Sequence, residues 1–407
     1  MASPTGHKWI FRSRFRRNAF GWRSQPAIKR IKEAVSEIKK VARKDPVLGG
    51  EGAVLFLERL SPALEHVDSS SGAIGRAVYN AIESLVRVIA EAPAADPLRD
   101  KWLERLWQAI EDDDMPYIEG LTDYWGRLCA SPERATRWAD RFVRVVRMAW
   151  RPDRTPGDCF KGTSACLSAL FKAGRYAEIL GLLELAPFKY WPDRRWGVKA
   201  LAAMGKSAEA LSYAEASQGR YVHPASIAEA CEAILLDEGM VERAYDLYAI
   251  DANRRATYLA TFHAIAAKYP NKQGADILRD LVASTPGSEG KWFAAAKSAG
   301  LYGVAIELAN STPCDPRTLT RAARDLASEE PRFAVEAGIA ALRWLVEGYG
   351  YDITGLDVRA AYDHAMKAAR NIACEDETRA RIRELVAGET IGERFVTKIL
   401  GRELGLT

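Results

Sequence analysis

Four short segments constrain this chain more than any other feature. They read KAGRYAEIL around Gly174, AMGKSAEAL around Gly205, DEGMVERAY around Gly239 and SAGLYGVAI around Gly300. The glycines are 31, 34 and 61 residues apart, and the last interval is close to two periods. A glycine at a fixed point suits a helix that ends in the left-handed conformation, where a Cβ is penalised. Five residues on stand Ile179, Ala210, Ala244 and Ala305, each followed by a larger apolar residue. A small or aliphatic residue there lets the next helix pack closely. Two helices in each unit of thirty-odd residues predict a row of helical hairpins, an α-solenoid.

The residues Gly174-x-Tyr176-x-Glu178 and Gly300-x-Tyr302, with Ala244-x-x-x-Tyr248, resemble the inter-helix turn and second helix of tetratricopeptide (TPR) repeats. The resemblance covers residues 160–310 in patches. It departs at Tyr269-Pro270-Asn271-Lys272, which stands where a glycine turn belongs, and no regular closing proline is present. A TPR-like or HEAT-like array describes the pattern. Membership of that class implies a scaffold whose concave face binds another macromolecule, and it does not imply catalysis.

The rest of the chain also reads as helix. Pro26 opens a helix with Ile28, Ile31, Val35 and Ile38 on one stripe. Residues 46–50, PVLGG, read as a break. Two helices over 51–93 flank Asp68–Gly72, and helices follow near 99–110, 117–129 and 132–149, the last started by Ser131-Pro132. RPDRTPGD at 151–158 reads as a linker. Further helices are predicted near 317–328, 331–347, 357–373 and 376–387, with a cap over 388–407. No segment alternates apolar and polar residues between glycine-rich turns, as strands would. The predicted fold is all-α, with a basic aromatic arm at 1–25, an N-terminal helical bundle at 26–150 and a TPR-like repeat domain at 151–407.

Charge is distributed unevenly. Residues 1–44 carry 13 Lys and Arg against two acids, a net +11, and the remainder is −7. Trp9, Phe11, Phe15, Phe20 and Trp22 interleave with Arg12, Arg14, Arg16, Arg17 and Arg23, and Lys29 and Arg30 follow on the first helix. Arginines reach phosphates and aromatics stack on bases, so this arm is a candidate site for an anionic partner. An arm folded back on the acidic body, or docked in a protein groove, accounts for the same pattern.

The most distinctive internal patch is FKYWPDRRWGVK at 188–199. Tyr190, Trp191, Arg194, Arg195 and Trp196, with Trp292 farther on, are candidate partner-binding residues, because Arg and aromatics are enriched at binding hot spots. Core packing and cation–π pairing are the competing reading.

Tests for catalytic chemistry fail. Met204-Gly205-Lys206-Ser207 lacks the earlier glycine of a phosphate loop. Five histidines accompany no nucleophile elbow and no H-E-x-x-H, and six cysteines form no C-x-x-C. The acidic run 111–114 lacks calcium-loop spacing and reads as a solvated helix end. Sparse cysteines argue against a disulfide framework and fit a reducing cytoplasm, where most pack as small hydrophobes. No apolar run is long enough to span a membrane, and no apolar leader is seen at the start. The expectation is a cytoplasmic, non-enzymatic scaffold without metal or cofactor. It would bind another protein through the repeat groove and an anionic partner through the arm. Nucleic-acid binding through 8–44 is the alternative. Oligomeric state is not legible.

Overall fold

The computed structural model describes residues 7–151, 160–219 and 222–406. Of the predicted linker at 151–158, all but Arg151 lies outside them, as does Cys159. Every regular element among the described residues is helical, and none is a strand. No described helix is long and apolar enough to cross a membrane. The chain divides into two compact units, Met1–Ile234 and Leu235–Thr407.

In the first unit, helices Ser24–Ala42, Pro46–Leu64 and Ala73–Glu91 pack on one another, and Asp96–Glu111 lies against Pro46–Leu64. PVLGG does not break the chain; it opens Pro46–Leu64, with Asp45 capping Leu48. Its glycines serve packing. A Cβ at Gly49 would overlap Ala42, one at Gly50 would overlap Trp102, and one at Gly52 would overlap the indole of Trp9. Beyond this bundle, Trp107, Trp125, Trp138 and Phe142 form a cluster of tilted and edge-on rings. Arg134 is buried and bonds to Asp96, Asp100 and the carbonyl of Cys129, tying Pro132–Ala149 to Asp96–Glu111.

The acidic run 111–114 is not a solvated end throughout. Asp113 is buried, accepting from the Ser61 hydroxyl and the Ile118 amide at 2.8 Å. Lys161 donates to the carbonyls of Ile110, Glu111 and Asp113, which satisfies the helix C-terminus.

The predicted glycine turns share one geometry. Gly174, Gly205, Gly239 and Gly300 have φ of +72, +74, +74 and +73°. At each, the amide after the glycine bonds to the carbonyl five residues back: Arg175 to Leu170, Lys206 to Leu201, Met240 to Leu235 and Leu301 to Ala296, at 2.8–3.0 Å. This is the Schellman closure. The second helices then start at Tyr176, Ser207, Val241 and Tyr302. Ile179, Ala210, Ala244 and Ala305 are all fully buried, as the close approach of the second helix requires. At 269–273 the turn is built otherwise. Tyr269 is buried edge-on to Tyr245, and Lys272 lies over the same ring and pairs with Glu242 at 2.7 Å.

Within each unit, helices of this part pack on near neighbours in the chain, several of them on both of the next two. In the first unit Thr163–Lys172 touches both Tyr176–Glu184 and Trp191–Ala203. In the second, Pro316–Asp325 touches Pro331–Val346 and Gly355–Arg370, and Gly355–Arg370 touches Glu375–Ala387 and Phe395–Leu404.

Candidate functional site

The described part of the arm, residues 7–25, packs into the N-terminal core. Trp9, Phe11 and Phe15 are buried, with Phe11 and Phe15 both edge-on to Phe56. Glu37 accepts the amides of Ile10 at 2.7 Å and Phe11 at 3.1 Å. Asn18 donates its amide to the carbonyl of Pro62, and Trp22 accepts from the amide of Asp68. Arg14 and Arg30 both meet Glu33, at 2.8 and 2.6 Å, and Arg17 reaches Glu65. Arg16 bonds to the carbonyl of Ser13. Arg12, Arg23 and Lys29 are exposed. Of the five arm aromatics only Trp22 stands out in solvent, at 72% exposure. The arm therefore presents cations and no row of stacking rings. The amphipathic pattern had this docking as one of its readings, and burial of three rings decides for it.

The 188–199 patch is largely occupied by its own unit. Trp196 is buried against Phe171, with the Lys199 ammonium 4.4 Å from its ring centre and Arg195 at 5.9 Å. Arg195 pairs with Asp123 at 2.5 Å. Arg194 lies 3.9 Å over Tyr213 and donates to Ser217 at 2.7 Å. Trp191 is half-buried at the start of its helix. Burial pushes the Asp193 carboxyl up to about 6, against the pull of Arg195, and pulls the Lys199 ammonium down. Of its aromatic side chains only Phe188 and Tyr190 remain well exposed, at the turn before the helix, with Lys189 and Lys199 also exposed. Trp292 is buried too, edge-on to Tyr258 and donating to Thr285 at 2.7 Å. The anchors of this patch thus serve cation–π and core packing more than presentation to a partner.

A different surface in the second unit has the features expected of a binding groove. A cleft of about 460 Å³ runs between Pro316–Asp325 and Gly355–Arg370, lined by Arg317, Thr320, Arg321, Leu345, Tyr351 and Ala360 among others. Arg317 holds Asp357 through two bonds of 2.8 and 3.0 Å and also the carbonyl of Asp352. Asp357 in turn accepts from Thr354 in a capping box. The Arg317 bonds foremost hold the Asp357 carboxyl far below the usual carboxylate range. Tyr351, which lines the cleft, is 84% exposed, and Leu356, in the first turn of Gly355–Arg370, is 81% exposed. The loop that carries Tyr351 turns at Gly348 and Gly350, both with positive φ. Sequence reasoning missed this site. Its available signal was the YGYDITG stretch, an aromatic pair set among glycines between two helical patterns.

Among the described residues no three His, Cys, Asp or Glu side chains gather as a metal site. Cys129, Cys166 and Cys314 are buried and their thiols are pushed up to about 12 by burial. No protein-family model matches the chain, and no curated protein is detectably similar to it.

Proposed function

We propose that this chain is a non-enzymatic binding scaffold of TPR-like helical hairpins, and that its partner-binding groove lies between Pro316–Asp325 and Gly355–Arg370. The observation that carries the reading is the pairing of that cleft with Tyr351, a large side chain that lines it and stands in solvent, with Leu356, next in sequence to the lining residue Asp357, also exposed. Neighbouring large apolar side chains left exposed beside a cleft mark interaction sites more often than chance. Thr320 and Arg321 supply hydrogen-bond donors to a peptide backbone lying in the cleft. The uniform Schellman turns support the hairpin row. The partner is a protein segment with an apolar anchor for Tyr351 and Leu356.

The test is affinity capture from native lysate, after nuclease treatment, with the full chain and a Tyr351→Ala/Leu356→Ala variant. A protein recovered in stoichiometric amount by the first and reduced several-fold with the second supports the reading. Identical recovery by both defeats it.

Nucleic-acid binding through 8–44 is the second reading. It draws on the exposed cations Arg12, Arg23 and Lys29. It lacks the base-stacking platform, because Trp9, Phe11 and Phe15 are in the core.

A further inference from the structure

The first unit carries a second groove, separate from the cleft of the proposed scaffold site. It runs between Ser24–Ala42 and Ala73–Glu91 and has a volume of about 520 Å³. Lys32, Lys39, Lys40 and Arg43 line it, and no carboxylate does. The two acids of Ser24–Ala42 are engaged elsewhere, Glu33 by Arg14 and Arg30 and Glu37 by the amides of Ile10 and Phe11. Docking of the arm therefore consumes the helix's negative charge and leaves its cations unopposed along the groove. Lys39 bridges to Ser84 on the facing helix at 3.1 Å.

The floor is apolar. Ile31 and Ala81 are buried at its base, and Val35 and Ala77 are half-buried beside them. Ala77 and Ala81 are one helical turn apart, so the wall they form is low enough for another helix to approach. From Lys32 to Arg43 the rise is about 16 Å, roughly three turns.

A recessed apolar floor with a cationic rim along residues 24–43 and an uncharged wall of Ala77, Asn80, Ala81 and Ser84 opposite selects its occupant. A bilayer surface is flat and does not reach a floor made of buried side chains. A phosphate chain satisfies the rim but gains nothing from the floor, and aromatic stackers are not among the lining residues. A helix with one apolar ridge and an acidic flank satisfies both. We infer that this groove binds an acidic amphipathic helix of a partner protein, apolar at i, i+4, i+7 and i+11 with glutamates or aspartates along the flank that faces Lys32, Lys39, Lys40 and Arg43.

The test uses the full chain and a fluorescein-labelled peptide of roughly 16 residues in that pattern, read by anisotropy. Comparison probes are a scrambled peptide of the same composition, a labelled oligothymidylate and vesicles containing phosphatidylserine. The expected result is micromolar binding of the patterned peptide, at least about tenfold weaker binding of the scrambled one, and a loss of about tenfold or more in Lys32→Glu/Lys40→Glu. Ala77→Trp, which fills the floor without changing charge, should lose as much. Circular dichroism and the unfolding midpoint establish that both variants are folded. Equal binding of the two peptides, preference for the oligonucleotide or the vesicles, or unchanged affinity in either folded variant overturns the inference. The variants leave Tyr351 and Leu356 intact, so failure here is distinct from failure at the scaffold cleft.

Discussion

Gly52 and Trp9 are in direct contact, and the indole occupies the space that a Cβ at position 52 would need. The N-terminal segment is thereby keyed to the middle of Pro46–Leu64. Gly52→Ala forces the ring out or shifts the helix. A loss of about 1–3 kcal/mol follows, the usual cost of overpacking. Urea unfolding should show a lower midpoint, and limited proteolysis should cut the first twenty-odd residues faster than in the parent protein. An unchanged midpoint would mean that Trp9 does not sit there.

The left-handed glycines should respond differently from a right-handed one. Gly205→Ala places a Cβ at φ +74°, and should cost about 1–2 kcal/mol. Gly303 lies in the first turn of Tyr302–Ser311 with open space around it and no positive φ. Gly303→Ala should be neutral or stabilising by up to about 1 kcal/mol. Thermal unfolding of the two variants checks the contrast, and a matching loss in both would remove the Schellman assignment.

Asp193 predicts a pH dependence. Desolvation of the half-buried side chain pushes its folded-state carboxyl up to about 6, above the ordinary aspartate value. The native state therefore binds the proton more tightly than the unfolded chain. This contribution is fully present below about pH 4 and is lost as pH rises through about 6. Asp193→Asn removes the charge that must be buried at neutral pH. It should raise stability at pH 7.5 by about 1–2 kcal/mol and flatten the profile between pH 4 and 6. Chemical denaturation at several pH values measures both effects, and a variant that parallels the parent protein at every pH would refute the buried carboxylate.

Thiol chemistry should sort the cysteines by burial. In a Cys159→Ser background, Ellman's reagent should modify Cys374, which is half-buried, while Cys129, Cys166, Cys231 and Cys314 stay protected. Urea should expose them all together within each unit. Rapid native reaction of more than one thiol would contradict the packing.

What the sequence made legible is local. The glycine turns were readable because a positive φ is a demand that one residue makes on its own backbone, and the buried alanines five residues on follow from the same hairpin. The all-helical character came from apolar spacing alone. Features that depend on distant partners were not readable. Gly49, Gly50 and Gly52 looked like a break because the residues that need their space, Ala42, Trp102 and Trp9, lie elsewhere in the chain. The same holds for the 188–199 patch. Arg194 and Arg195 look like hot-spot residues until Tyr213 and Asp123 are seen to hold them. Tyr351 shows the converse case, since exposure is a property of the whole packing and leaves little trace in local spacing.

Because Trp9, Phe11 and Phe15 complete the N-terminal core, deleting residues 1–25 does not simply subtract charge. It uncovers Phe56, frees Glu37 and returns a carboxylate to a helix whose other side is lined with lysine and arginine. A truncated protein would thus carry a different electrostatic face as well as a damaged interior. Charge reversals at the exposed Arg12 and Arg23 separate those two effects.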